Sequence, residues 1–214
     1  QGIYASIAMR NDGSFIVAYQ YNREQSKCTD KWTDGTEPYI MMQMFNPDGT
    51  KLGQETEVNF PRMTSSSAGG YDVNAIAVFS DNSFAVFAGA YKTSSNVDIL
   101  CQRYNADGTK NGNNILILDQ SGHSKSFYSI DVSVASDDSF VLAISSGNRV
   151  YHGSSYSNWD IWFQEYDKDF NLVDGYTKVQ DCDWSSQYGY DNYIKRFSDD
   201  SFIIVFRGAR RAQA

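Results

Sequence analysis

Four stretches of this chain are near copies of one another, and that repetition constrains the fold more than any other feature. They read Ile7-Ala-Met-Arg-Asn-Asp-Gly-Ser-Phe15, Ile76-Ala-Val-Phe-Ser-Asp-Asn-Ser-Phe84, Val132-Ser-Val-Ala-Ser-Asp-Asp-Ser-Phe140 and Ile194-Lys-Arg-Phe-Ser-Asp-Asp-Ser-Phe202. Their aspartates, Asp12, Asp81, Asp137 and Asp199, fall 69, 56 and 62 positions apart by subtraction. A second motif runs between them: Ile40-Met-Met-Gln-Met-Phe-Asn-Pro-Asp-Gly-Thr50, Ile99-Leu-Cys-Gln-Arg-Tyr-Asn-Ala-Asp-Gly-Thr109 and Ile161-Trp-Phe-Gln-Glu-Tyr-Asp-Lys-Asp-Phe-Asn171. Two motifs in strict alternation mark a repeat architecture, in which each unit buries its apolar surface against its neighbours. The chain reads as one repeat domain over 1–214, with repeats at 4–70, 71–126, 127–188 and an incomplete 189–214.

Each repeat reads as four strands. Strand A ends at Met9, Phe79, Ala135 or Phe197, and a tight turn follows whose Asp, Asn and Gly residues tolerate positive φ. Strand B is the Phe-led apolar run at Phe15–Tyr19, Phe84–Phe87, Phe140–Ile144 and Phe202–Phe206. Strand C carries the repeated Gln. A further Asp-led turn leads to strand D at Glu55–Asn59, Ile115–Leu118 and Tyr176–Val179.

Strands B and C are apolar on both faces, as in Ile161-Trp162-Phe163. A sheet with one wet face alternates apolar with polar residues, whereas a blade packed between two others does not. The expected fold is therefore all-β: a β-propeller-like array of four-stranded antiparallel blades, about three and a half in number. A β-sandwich or an open β-solenoid is the structural alternative. The count of three and a half implies either a piece of a longer protein or a half-blade completed by another copy. Gln1 opens directly into Gly2-Ile3-Tyr4, with no charged start and apolar run, so no secretory signal is expected here.

Composition narrows the function. The net charge is -8, and the basic cluster is limited to Arg207, Arg210 and Arg211, which is too little for a grip on phosphates, so nucleic acid is not an expected partner. No run of apolar residues is long enough to insert into a membrane. Fifteen Tyr and abundant Ser, Asn, Asp and Gly are the composition of extracellular or cell-surface β-proteins. No N-x-[ST] sequon supports that placement.

The string Asp-Gly-Ser-Phe-Ile-Val-Ala-Tyr from Asp12, followed by Ile40 to Asn59, resembles a recurring bacterial and protist repeat. That repeat reads DGGFVVVW and then GQRFDADGTPLGxEFxVN, and occurs in large extracellular, often calcium-dependent or adhesin-like surface proteins. The shorter Delta-60 type of repeat is similar. The resemblance covers nearly the whole chain and implies a surface or secreted propeller module. It carries no catalytic residue over. The chain departs from the pattern where Tyr19, Gly89, Ser145 and Arg207 stand near the end of strand B in place of Trp, and at Asp169-Phe170-Asn171.

Topology then locates the candidate site. In an up-and-down blade the A–B and C–D turns share one rim, while the B–C loops and the crossings to the next blade share the other. The second set is expected to be long throughout, at 23–38, 61–70, 92–97, 120–126, 147–158 and 181–190, and loops on rigid scaffolds carry function. Trp32, Tyr39, Trp159 and Trp184 on that rim are the candidate ligand-binding residues, suited to interfaces or to stacking on sugar rings. Tyr151, His152, Tyr156, Tyr188 and Tyr190 join them.

No catalytic residue is assigned. His123 and His152 have no Ser or Cys in an elbow motif beside them. Asp181-Cys182-Asp183 is the nearest approach to paired carboxylates, and only Arg23, Arg62 and Arg149 are available for a sialidase-like cluster. No cofactor is expected. Calcium is possible at turns such as Asn11-Asp12-Gly13, although one turn supplies too few oxygens. The leading expectation is a non-enzymatic extracellular module for surface assembly or adhesion, acting through its long-loop face or open edge. Its partners would be other protein copies or cell-surface glycans. The alternatives are a carbohydrate-binding, lectin-like propeller and a glycosidase-type propeller enzyme. Cys101 aligns with Met42 and Phe163 and is expected to be a buried free thiol. Cys28 and Cys182 fall on one rim and are candidates for pairing.

Overall fold

The computed structural model describes residues 5–21, 39–58, 60, 71–93, 96–118, 125–148, 158–180 and 188–209. These residues form fourteen strands and, among them, no helix. The first sheet is β1 (Ala5–Met9), β2 (Phe15–Tyr21), β3 (Tyr39–Phe45) and β4 (Lys51–Glu57), in that spatial order. A second antiparallel meander is β5 (Tyr71–Val78), β6 (Phe84–Thr93), β7 (Asn96–Tyr104) and β8 (Lys110–Leu118). The third is β9 (Lys125–Val134), β10 (Phe140–Asn148), β11 (Asn158–Tyr166) and β12 (Thr177–Gln180). β13 (Tyr188–Arg196) and β14 (Phe202–Ala209) form a hairpin equivalent to strands A and B of a fourth. Chain order equals spatial order in each meander and every pair is antiparallel, which is the blade pattern of a propeller. A Greek-key sandwich would reorder its strands, and a solenoid would pair them in parallel.

Backbone contacts divide the chain into two compact units, Gln1–Asp119 and Gln120–Ala214. In the first, β5 of the second blade lies across β1, β2 and β3. Ile16, Ala18, Ile40 and Met42 meet Ile76, Phe84, Val86 and Ala88 there. In the second, β13 lies across β9, β10 and β11, and Val141 and Ala143 meet Ile194, Phe202 and Ile204. One rule covers both contacts. The second and fourth residues of strand B (Ile16 and Ala18, or Val141 and Ala143) face the following blade. The first and third (Phe84 and Val86, or Phe202 and Ile204) face the preceding one. Phe84 to Ala88 of β6 and Phe140 to Val141 of β10 are at 0% exposure.

The seven short turns share one geometry. Gly13 N donates to Arg10 O at 3.0 Å and Arg10 N to Ser14 O at 2.8 Å, and the same pair of bonds recurs in each turn, down to Asp200 to Phe197 and Phe197 to Ser201. This is a type I turn followed by a residue in the left-handed region. That residue is Gly13, Gly49, Asn82, Gly108, Asp138, Phe170 or Asp200. The turn aspartate bonds forward: Asp12 Oδ1 accepts from Ser14 N at 2.9 Å and from Ser14 Oγ at 2.5 Å. These hydroxyl and amide donors hold Asp12, Asp48, Asp81, Asp107 and Asp199 below the ordinary carboxylate range.

Two expectations about extent are corrected. Strands β4 and β8 begin at Lys51 and Lys110, immediately after their turns, several residues before the starts expected at Glu55 and Ile115. β4 is exposed along its whole length, so its pattern carries no core signal. The second B–C connection is also short, because β6 and β7 pair out to Thr93 and Asn96 and leave only residues 94–95 between them. The asymmetry of loop length therefore fails in that blade.

Candidate functional site

Of the four residues expected to bind ligand, Trp32 and Trp184 lie outside the described residues. Tyr39 is the first residue of β3, opposite Tyr21, and Trp159 is the second of β11, opposite Gly147. Both backbones sit at the loop-bearing end of strand C, as the topology requires, while their side chains lie outside the description. Cys28, Cys182, His123, His152, Asp181, Asp183, Arg23, Arg62 and Arg149 also fall outside the described residues.

The described residues gather a different aromatic group. Trp162 on β11 stands directly opposite Lys178 on β12. Lys178 Nζ lies 5.3 Å from the centre of the half-buried Trp162 ring, within cation–π range. Tyr176 meets the same indole edge-on at 6.0 Å and is 46% exposed. The third C–D turn, next to this group, keeps the common pair of bonds but differs in its residues. Where the other two blades place Gly49 and Gly108, the third has Phe170 at φ 69. Its ring turns inward, 4.9 Å from Phe140, and the segment between the turn and β12 is held to β11 by the isolated bridge Tyr166–Leu172 and by Val173 N donating to Glu165 O at 2.9 Å. Strand D is thereby cut to Thr177–Gln180, and Tyr176 stands just before it. Chemically, the group offers two aromatic surfaces and an ammonium donor, which suits an amphipathic ligand with polar edges. The residues Trp162, Tyr176 and Lys178 were readable as strand residues only. Their convergence depends on the register between β11 and β12, which the sequence pattern does not state.

Other polar groups of the interior are structural. Gln43 Nε2 donates to Met44 O at 2.8 Å and to Leu52 O at 3.2 Å, and Gln102 Nε2 to Arg103 O at 2.8 Å and Gly112 O at 3.3 Å. Each clamps a register shift between strands C and D. Asp131 uses both oxygens on backbone amides, Oδ1 on Val132 N at 2.9 Å and Oδ2 on Ile194 N at 2.8 Å. Burial pushes its carboxyl up. With Ser133 Oγ accepting from Arg196 N at 2.9 Å, it joins β9 to β13 as a strand's carbonyls would. Both oxygens of Asp131 are thus engaged, and Oδ2 holds β9 to β13. Cys101 is a free thiol with 0% exposure, and burial raises its pKa well above the usual range. It pairs with Phe87 as Met42 pairs with Ala18 and Phe163 with Ala143, which confirms the alignment. No group of three or more His, Cys, Asp or Glu able to hold a metal occurs among the described residues.

No protein-family model matches this chain, and no curated protein sequence does. Among solved structures it is similar to a polysaccharide lyase, a PL25 ulvan lyase, at a TM-score of 0.61 and 9% identity, over 95% of this chain and 50% of that one. The same lyase bound to -[GlcA(1-4)Rha3S]- gives 0.60 with the same coverage. An α-L-arabinofuranosidase from Lactobacillus brevis matches at 0.48 and 13% identity, over 92% of this chain and 62% of that one. The lyase likeness establishes the propeller-like fold. The chain spans about half the length of that lyase.

Proposed function

We propose that this protein is an extracellular carbohydrate-binding propeller module, with the Trp162–Tyr176–Lys178 group as part of its sugar-binding surface. The observation carrying the reading is that exposed aromatic group with its ammonium donor. Sugar rings have apolar faces for an aromatic side chain and polar edges for a donor such as Lys178 Nζ. Support comes from a polysaccharide lyase having the same fold, and from the Tyr- and Ser-rich composition. The likeness to the lyase favours this reading over the surface-assembly or adhesion module expected from the repeat.

The test is affinity electrophoresis of the whole chain through gels containing neutral, uronate-bearing or sulfated polysaccharides. One class is expected to retard the protein. Trp162→Ala and the more exposed Tyr176→Ala are each expected to weaken that retardation about tenfold, since stacked aromatics dominate such contacts. Absence of binding to every class, or unchanged binding by both folded variants, would contradict the proposal.

A further inference from the structure

The aromatic group on β11 and β12 has an acidic setting. From Glu165 to Lys178 the chain carries four carboxylates, Glu165, Asp167, Asp169 and Asp174, against the ammonium groups of Lys168 and Lys178. The whole segment lies within one compact unit. Asp169 and Asp174 are exposed. Asp167 accepts from Asn171 Nδ2 at 2.9 Å and from Asn171 N at 2.8 Å, and these donors, the side chain first, hold its carboxyl below the ordinary range. Asp174 stands two residues before Tyr176. Their Cα atoms are therefore at most about 7 Å apart, inside the screening length of about 8 Å at physiological salt.

Between these charges the exposed surface is apolar. Leu172 is 51% exposed and Val173 65%, beside Tyr176 at 46%. Lys178 is the cation at the rings, and its ammonium faces the Trp162 π-cloud, whose negative potential favours it. A sugar ring without charge can lay its C–H face on such a surface and turn its hydroxyl donors to the carboxylates around it. A uronate or sulfate group would come instead among like charges, through the field of a chain whose net charge is -8. Repulsive elements of this kind set specificity as firmly as attractive ones do.

We infer that the ligand of this surface is a neutral polysaccharide, without uronate or sulfate groups, held by its ring faces on Tyr176 and Val173 and selected by the carboxylates of Asp169 and Asp174. This substrate class rests on the carbohydrate reading of the same aromatic group.

Matched soluble polymers test it in affinity electrophoresis of the whole chain: hydroxyethylcellulose against carboxymethylcellulose, dextran against dextran sulfate, and galactomannan before and after sulfation. At least one neutral member is expected to retard the protein, and its charged counterpart at least about tenfold less. Retardation by the neutral polymer should be equal at low and high salt, since no ion pair is screened. Asp169→Asn combined with Asp174→Asn should narrow the neutral-to-charged ratio several-fold, because it removes the repulsion and keeps the side-chain oxygen that accepts from Gly175 N. Asp174→Asn alone serves if circular dichroism or thermal unfolding of the double variant differs from the parent's. Preference for the charged polymers, equal retardation by both members of a pair, or an unchanged ratio in the folded variants overturns the inference and leaves the carbohydrate reading standing. Retardation by no polymer overturns that reading, and the neutral class with it.

Discussion

Phe84 and Phe140 have no exposed surface, while Phe15 and Phe202 at the same repeat position are half-buried. The four are equivalent by pairing, opposite Val78, Val134, Met9 and Arg196 respectively, as the repeat implies. What differs is the cover each blade receives. Phe84→Ala is therefore expected to cost about 3–5 kcal/mol in urea unfolding, and Phe15→Ala less than half of that. Equal costs would show that the two environments are alike. The turn aspartates give a pH dependence. Their folded-state pKa values are lowered, first by the Ser or Thr hydroxyl and then by its amide. Stability from this source is fully present above the unfolded value of 3.8 and lost as pH falls below it. Asp131 opposes the trend, because its raised value favours the protonated, folded form as pH drops. One buried carboxyl stands against several turn carboxylates, so the urea midpoint should fall between about pH 5 and pH 3. A midpoint that holds or rises over that range would show the turn bonds to be energetically idle.

At the level of the element, the turns separate backbone strain from contact. Gly49 and Gly108 have φ 83 and 84, yet a Cβ on Gly49 would meet nothing within 4 Å, whereas one on Gly108 would lie 3.1 Å from Met44 Sδ. Gly49→Ala should cost about 1–2 kcal/mol from the left-handed backbone alone, and Gly108→Ala measurably more. Chemical denaturation of the pair decides, and equal costs would remove Met44 from the account. Strands A, B and C and the turn chemistry were legible in the sequence, since apolar runs between Asp-led turns state their own boundaries. Strand D was legible only in part, because β4 is exposed throughout and its polar residues carry no period. The Gln clamps and the Asn11–Asn82 bond could not be read at all. Both join residues whose proximity depends on register or on the packing of two repeats. The Trp162 group was missed for the same reason.

At the scale of the molecule, the repeat specifies blades whose inner strands are buried from both sides and whose fourth strands are exposed. The position of Trp162 beside a shortened strand D rests on that layering. Amide hydrogen exchange read by mass spectrometry tests it directly, since buried central strands open rarely and edge strands often. Peptides from β6 and β10 are predicted to exchange slowest, with β7 and β11 close behind. Those from β4, β8 and β12 should exchange orders of magnitude faster within the same blades. Exchange in β4 and β8 as slow as in β6 would contradict the blade assignment itself.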